Sequence, residues 1–219
     1  KLKYLVWFVI LLVLSSYNIE AKVSNKDSEN FANVVIFGYF SGNESTIDRQ
    51  YLIDNSEKLI NLYNGTNGRS VTNYLKTISY GKFNIKNIFP QYNGKNIEPL
   101  EIHCNKNDAY VSNIDGCIID SVIDNIPDIK NQIIDYDNDG YIDNLTIILK
   151  GGSSDVPSGS TFVSHKSDFF ENDVWSSKMI GTYNMLNTYS IIGTNFSSES
   201  GVIVHEFLHS LGYPDLYRS

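Results

Sequence analysis

Two apolar segments restrict the folds open to this chain more than any other feature of its sequence. Residues 33–40 are NVVIFGYF, and residues 144–150 are NLTIILK. Runs of β-branched and aromatic residues of this length are typical of buried β-strands, because such side chains pack well on a pleated surface. We therefore expect both segments to be buried strands, with 144–150 in the centre of a sheet.

Other segments show the spacing of helices or of shorter strands. Apolar residues at helical spacing predict helices at 47–62, at 71–79, in the second half of 108–133 and at 198–211. Shorter strands are predicted at 82–89, 161–164 and 188–192. A chain of 219 residues with 42% hydrophobic residues is long enough for one such core. The order of elements predicts one α+β domain over 22–219, in which helices pack on a twisted mixed sheet.

The charge balance narrows the class of partners. The chain has 25 acidic and 17 basic residues, which gives a formal net charge of -8, and no run of Lys and Arg forms a basic stripe. This composition argues against nucleic acid or an anionic membrane as the partner. An acidic balance is compatible with a protein that binds cations.

The N-terminus has the order of a secretory signal. Lys1 and Lys3 precede the apolar run 4–14, and a polar stretch then leads to the small residue Ala21. The run is short for a membrane span, which needs about 20 residues. We predict a signal peptide at 1–21, with cleavage after Ala21 or alternatively after Ser16, and a secreted protein without stable membrane insertion. An uncleaved N-terminal anchor is the alternative interpretation.

The two cysteines agree with export, since an exported chain enters an oxidising compartment. Cys104 and Cys117 are close in sequence, and the chain contains no other cysteine. We predict a Cys104–Cys117 disulfide that closes a small loop. A metal site made by cysteines is not expected, because the chain has no CxxC pair.

The C-terminal helix carries the residues with the clearest chemistry. His205 and His209 are four residues apart, so they lie on one helical face and can bind the same zinc ion. Glu206 follows the first histidine, where it can take a proton from a zinc-activated water. The alternative is a structural helix with two core histidines, which would bury unpaired polar groups.

The residues after this helix supply a third candidate ligand. Gly212 can adopt a left-handed conformation at the helix end, and Pro214 prevents the helix from continuing. The chain can therefore turn and bring Asp215 towards the metal, which completes the pattern H-E-x-x-H-x-x-G-x-x-D. A catalytic zinc needs three protein ligands and one open position. Asp215 could instead be a partner that orients one of the histidines.

An acidic loop before the strand 144–150 predicts a second cation site. Its pattern D-x-D-x-D-G-x-x-D resembles the first nine positions of an EF-hand loop, with Gly140 at the sharp bend. The predicted calcium ligands are the carboxylates of Asp135, Asp137, Asp139 and Asp143 and the backbone carbonyl of Tyr141. The twelfth position is Thr146 rather than Glu, and a strand follows, so the loop is not an EF-hand. A solvated acidic turn is the alternative.

Several of these segments together resemble one protein family. The segment 205–217, HEFLHSLGYPDLY, looks like the zinc-binding signature of the immune inhibitor A-type secreted metallopeptidases, in the metzincin-like group. The segments 70–85 (SVTNYLKTISYGKFNI) and 135–152 (DYDNDGYIDNLTIILKGG) are similar to further parts of the family. The segment 173–177 (DVWSS) is a looser match. The resemblance extends over 33–217.

This resemblance implies a metzincin-like N-terminal subdomain and a secreted zinc endopeptidase that hydrolyses proteins or peptides. It carries the family's roles onto His205, Glu206, His209 and Asp215. The chain ends at Ser219, before the family's C-terminal subdomain and its Met-containing turn, so we expect 22–219 to be an incomplete catalytic domain. The alternative is a non-catalytic, calcium-stabilised secreted binding module that retains a zinc site. The intact Glu206 favours the enzyme, and the missing C-terminal part favours the alternative.

Overall fold

A computed structural model describes residues 31–66, 70–104, 114–125, 135–136, 138–150, 165–168, 182–187 and 199–214. The signal peptide predicted at 1–21 and the strands predicted at 161–164 and 188–192 lie outside these residues. The strands are β1 (Phe31–Phe40), β2 (Ile85–Ile88), β3 (Leu100–Ile102), β4 (Leu145–Lys150), β5 (His165–Asp168) and β6 (Thr182–Asn187). The helices are α1 (Ser45–Asp54), α2 (Ser56–Asn64), α3 (Val71–Ile78), α4 (Ile114–Asn125) and α5 (Glu199–Ser210).

The strands form one mixed sheet with β1 and β4 at its centre. The strand order is β2-β1-β4-β6-β5, and β3 pairs with the end of β1 beyond β2. The strands β1, β2, β3, β4 and β6 pair in parallel, whereas β5 is antiparallel to β6. The predicted α+β class with a mixed sheet packed by helices is confirmed.

Both faces of the sheet are covered, as the two apolar segments require. All ten residues of β1 are buried, and so are Leu145–Leu149 of β4. Alternate β1 residues such as Val34 and Ile36 pack with α4 on one face. Val35 and Phe37 pack with α1, α2, α3 and α5 on the other face. The prediction of two buried strands is therefore confirmed. The helix α5 lies on the same face of the sheet as α1, α2 and α3.

The single helix predicted at 47–62 is wrong, because the chain breaks between α1 and α2. The amide group of Asn55 donates to the Tyr51 carbonyl at 2.8 Å, and the Ser56 hydroxyl donates to the Ile53 carbonyl at 2.7 Å. Asn and Ser side chains compete with the backbone for such carbonyls and so favour helix ends. The spacing of apolar residues persists across the break, which explains why the sequence pattern suggested one helix.

Four strands differ from the sequence prediction. The strand predicted at 82–89 is limited to Ile85–Ile88, and β3 and β5 were not predicted. The sequence of β5, HKSD, shows no alternation of apolar and polar residues, and β3 has only three residues. The strand β6 was also missed, because the polar Asn184 occupies one of its buried positions.

The predicted disulfide is confirmed. Cys104 follows β3 and Cys117 lies in α4, and their sulfurs are bonded across a sequence separation of 13. A cross-link that closes a loop of this size stabilises a fold by about 3 kcal/mol, mainly by restricting the unfolded chain. The bond therefore fastens α4 to the sheet edge at β3. None of the helices in the described residues combines the length and apolar character needed to cross a membrane.

The buried Tyr63 hydroxyl gives a test of the packing of the helices on this face. The Tyr63 side chain is fully buried, its ring packs edge-on against Phe89, and its hydroxyl has no hydrogen-bond partner among the described residues. Tyr63→Phe should raise the free energy of unfolding by about 1 kcal/mol, because a buried unpaired hydroxyl is costly. Thermal denaturation measures this change, with the more exposed Tyr74→Phe as the control.

The buried Tyr63 hydroxyl should also make the stability of the protein depend on pH in the alkaline range. Burial raises the pKa of Tyr63 above its ordinary value. The unfolded chain therefore releases this proton near pH ~10 while the folded chain keeps it, so stability is lost as the pH rises above that value. Tyr63→Phe should reduce this alkaline loss. A melting temperature that falls in Tyr63→Phe at neutral pH would show that the hydroxyl is hydrogen-bonded.

Candidate metal centre

The helix α5 is anchored by one face and leaves its histidines on the other. Ile203 and Phe207 are only 2% and 1% exposed, and the Phe207 ring meets the Phe31 ring edge-on at 5.6 Å. This side of the helix therefore faces the core. His205 and His209 are partly exposed, so both imidazoles lie where a ligand can reach them while the helix beneath them is fixed.

The two imidazoles are spaced as ligands of one metal ion. Their Nε2 atoms are 3.2 Å apart, and the rings meet at 80° with centroids separated by 4.5 Å. Two nitrogen ligands of a tetrahedral zinc, each ~2.05 Å from the ion, are separated by ~3.3 Å. The distance therefore fits a shared ion without movement of the helix.

The second nitrogen of His209 makes a contact that orients the ring for binding. Its Nδ1 atom lies 2.7 Å from the backbone oxygen of Tyr213. A carbonyl only accepts, so Nδ1 carries the proton and donates it, which leaves the Nε2 lone pair for a metal. Metal-binding histidines commonly have their other nitrogen fixed in this way.

The turn at the end of α5 places the Tyr213 carbonyl in this position. Gly212 has a φ of 87°, so the predicted left-handed conformation is confirmed. The backbone N–H of Tyr213 donates to the Leu208 carbonyl at 3.0 Å, and that of Gly212 donates to the His209 carbonyl at 2.9 Å. These two bonds form the Schellman arrangement that ends helices at a glycine. The residues after Pro214, including Asp215, lie outside the described residues, so the third ligand stays a prediction.

Glu206 lies beside the histidines but is less accessible. Glu206 is only 7% exposed, and one oxygen of its carboxylate lies within 4.8 Å of a ring nitrogen of His205 and of His209. In the part of the chain that the structure describes, no other group of three His, Cys, Asp or Glu side chains is close enough to hold an ion. His205, Glu206 and His209 can thus hold a metal ion, with Glu206 as a further ligand or as a nearby base.

The structure does not bring the described aspartates of the acidic loop together in this way. The Asp135 carboxylate accepts the N–H groups of Asp139 and Gly140 at 3.2 and 3.0 Å, and the Asp139 carboxylate accepts that of Tyr141 at 2.9 Å. Gly140 has the left-handed φ of 90° expected at the bend. These carboxylates therefore cap loop amides, and Asp137 lies outside the described residues.

Asp143 has a separate structural role at the end of this loop. It is 4% exposed, and its carboxylate accepts the N–H groups of Ala32 at 2.8 Å and Tyr136 at 3.2 Å. It therefore joins the loop to the beginning of β1. The burial of the Asp143 carboxylate is explained by these two hydrogen bonds, one of them to an amide of β1, and needs no ion.

Two groups that support the candidate metal centre were missed at the sequence level. The Tyr213 carbonyl fixes the His209 ring, but a backbone oxygen carries no signal of residue type. The Ser210 hydroxyl was also missed. It donates to the Asn184 amide oxygen at 3.0 Å and so joins α5 to β6. A polar residue between the apolar positions of the helix is its only sequence signal.

Comparison with known protein families and with curated proteins finds no match to this chain.

Removal of either histidine tests the metal centre directly. We expect the unmodified protein to bind about one metal ion per chain at this site, and His205→Ala or His209→Ala to bind almost none, because a single imidazole holds a divalent ion weakly. Elemental analysis after dialysis measures the metal content. The matched control is His103→Ala, since His103 is exposed and outside the group. Full metal content in both histidine variants would contradict the site.

Proposed function

We propose that the protein is a secreted zinc-dependent endopeptidase and that α5 carries its active site. The observation that supports this most directly is the pair of Nε2 atoms 3.2 Å apart with the buried Glu206 carboxylate beside them. A helix that only needed to pack would gain nothing from a carboxylate held at this distance from two imidazoles. A hydrolytic metal site needs this combination of ligands and base.

Zinc is the metal that fits the donors best. Imidazole nitrogens with one carboxylate are a common set for catalytic zinc, and His205, His209 and Asp215 would leave a fourth position open. When bound, zinc would supply polarisation of a peptide carbonyl and activation of a water molecule. The Schellman turn at Gly212 supports the role of Asp215, because it reverses the chain two residues after the helix.

Glu206 would carry the proton during hydrolysis. Its carboxylate is adjacent to the imidazole donor atoms and largely shielded from solvent. From this position it would accept a proton from the attacking water and then donate it to the leaving amine. In this proposal His205 and His209 hold the metal, and the Tyr213 carbonyl keeps His209 in the tautomer whose Nε2 carries the lone pair that would bind it.

The proposed substrate is a protein or peptide in extended conformation. In the described part of the sheet, β5 is the last strand, and it is antiparallel to its neighbour β6. The helix α5 packs against both β5 and β6. A peptide that pairs with the outer edge of β5 by main-chain hydrogen bonds would therefore pass close to the histidines. Side-chain pockets beside such a strand would decide the cleavage preference.

The resemblance of 205–217 to the immune inhibitor A-type metallopeptidases agrees with this proposal and adds the metzincin-like fold to it. The second candidate is a non-catalytic secreted module that binds a metal with the same residues. The two candidates differ in turnover, because a binding module would hold zinc without hydrolysing a peptide. The closeness of Glu206 to both imidazoles favours the enzyme.

Substitution of the proposed base separates these functions. Glu206→Gln should keep zinc bound and lower kcat for a casein or peptide substrate by about 10²–10⁴-fold, since an amide cannot accept the proton. Zinc content and initial rates of the full-length protein are measured together. Glu57→Gln, an exposed substitution of the same type in α2, is the control and should have no effect.

Each other outcome has a defined meaning. Loss of zinc from Glu206→Gln would make Glu206 a ligand and not the base. An unchanged rate would place the base elsewhere. Zinc binding without hydrolysis of any peptide by the unmodified protein would favour the binding module.

We also propose that the acidic loop binds a structural calcium ion through Asp135, Asp137, Asp139, Asp143 and the Tyr141 carbonyl. The spacing of the aspartates and the left-handed Gly140 support this. The loop leads into the central strand β4, so an ion that binds only the folded loop would stabilise the sheet by mass action.

Calcium should therefore raise the melting temperature. A concentration of one hundred times the dissociation constant corresponds to about 2.7 kcal/mol. The double variant Asp137→Ala/Asp139→Ala should lose most of the rise and keep its zinc, whereas the exposed Asp124→Ala in α4 should keep the rise. If millimolar calcium leaves the melting curve of the unmodified protein unchanged, the loop is an acidic turn.

A further inference from the structure

A continuous row of buried amide side chains crosses the sheet beneath α5. It begins at the Ser210 hydroxyl and passes through side chains on β6, on β4 and the residue just before it, on β1 and on β2. We call this row the amide ladder, and its members in the sheet are Asn184, Asn144, Thr146, Asn33 and Asn87. Four of these, Asn184, Asn144, Thr146 and Asn33, are no more than 1% exposed.

The half of the amide ladder nearest the helix has short contacts in one direction. The Ser210 hydroxyl donates to Asn184 Oδ1 at 3.0 Å. Asn184 Nδ2 donates to Asn144 Oδ1 at 3.1 Å, and Asn144 Nδ2 donates to Asn33 Oδ1 at 2.8 Å. Each amide accepts from the α5 side and donates away from it. Hydrogen bonds aligned in this way polarise and strengthen one another.

The far half of the ladder ends on two other helices. Asn33 Nδ2 donates to Asn87 Oδ1 at 2.9 Å. Asn87 Nδ2 then donates to Asn64 Oδ1 at 2.9 Å and to Thr72 Oγ1 at 3.1 Å. Asn64 is the last residue of α2, and Thr72 lies in the first turn of α3. The ladder therefore connects the end of α5 to two helices on the opposite side of the same face.

Strand pairing gives the amide ladder its regular geometry. Asn33 and Asn87 are opposite one another in the pairing of β1 and β2, and Thr146 is opposite Asn184 in that of β4 and β6. The side chains thus share one face of the sheet, next to apolar residues such as Val35 and Phe37. Polar groups in this position are costly unless each has its partners, and a complete network permits one arrangement only.

This restriction matters most at Ser210, which follows His209. The apolar contacts of Ile203 and Phe207 hold α5 against the sheet, but such contacts are non-directional and tolerate small shifts along the helix axis. The Ser210–Asn184 hydrogen bond is directional and joins the last turn of α5 to β6. It therefore ties the residue that follows His209 to the sheet.

We propose that the amide ladder positions the metal centre through Ser210 and Asn184, which are positioning residues and not ligands. This inference depends on the metal site of the proposed function. Without the hydroxyl, the last turn of α5, from which the Gly212 turn and the Tyr213 carbonyl follow, would lose the Ser210–Asn184 hydrogen bond that joins it to β6. The two Nε2 atoms would then be held less accurately for the ion.

Ser210→Ala tests the proposal without the introduction of bulk. We expect zinc affinity, measured by competition with a chromogenic chelator, to fall about tenfold or more, as is typical when a group that orients a metal ligand is removed. The visible absorption bands of the Co²⁺-substituted protein should change in energy or intensity, because they depend on ligand geometry. Ser210→Thr keeps the hydroxyl and should restore both measurements.

Ser56→Ala is the matched control for a loss of stability. The buried Ser56 hydroxyl donates to the Ile53 carbonyl and accepts the Ile97 N–H, both far in sequence from α5. Its removal should lower the melting temperature at least as much as Ser210→Ala and leave zinc affinity and the cobalt spectrum unchanged.

Two results would overturn the proposal. One is a zinc affinity and cobalt spectrum in Ser210→Ala that equal those of the unmodified protein. The other is an equal change in Ser56→Ala, which would make the effect one of stability alone. Either result would leave the role of Glu206 intact, since that role is tested by hydrolysis with zinc bound. Absence of metal binding in the unmodified protein would overturn the metal site and this inference together.

Discussion

The burial of β1 on both faces is the constraint on which the other features of the structure depend. A strand with ten buried residues must pair its backbone on both edges and must have apolar layers above and below it. Parallel pairing with β2, β3 and β4 meets the first requirement. The helix α4 on one face, and four helices on the other, meet the second. The helix α5, which carries the candidate metal centre, is one of those four, so the strand that forms the core also determines where α5 must lie.

Polar groups on the α5 face of the sheet add direction to this packing. Apolar contacts determine which side of α5 is buried, but they determine its position along the sheet only weakly. The amide ladder supplies specific bonds at one end of the strands, and Asp143 supplies another between the acidic loop and β1. Most of these groups are buried and each is paired, so a shift of any strand would leave a polar atom without a partner. The sheet register and the helix position are thus maintained by the same set of side chains.

The candidate metal centre combines a helix fixed by its buried face with a turn that orients one of the two histidines. The buried face of α5 anchors the helix, its other face carries His205 and His209 with Glu206 beside them, and the Schellman turn returns the chain so that a backbone oxygen reaches His209. The geometry needs little rearrangement for a tetrahedral ion, since the two nitrogens already have the appropriate separation. Preorganisation of this kind lowers the cost of binding, because the side chains have lost their freedom in folding.

The sequence by itself determined the two buried strands, the α+β class, the disulfide, the helix with its two histidines and the left-handed Gly212. The strands and helices follow from the periodicity of apolar residues over short stretches of sequence. The disulfide and the turn at Gly212 follow from residue type, because the chain has only two cysteines and a glycine after a helix readily adopts a left-handed conformation. Only the tertiary structure decided the break at Asn55, the polar strand β5, the use of Asp135, Asp139 and Asp143 as acceptors for backbone amides, and the amide ladder. In each of these cases the partner of a polar side chain decides its role. Asn33 and Asn184 are 151 residues apart in sequence, and only strand pairing brings them into one network.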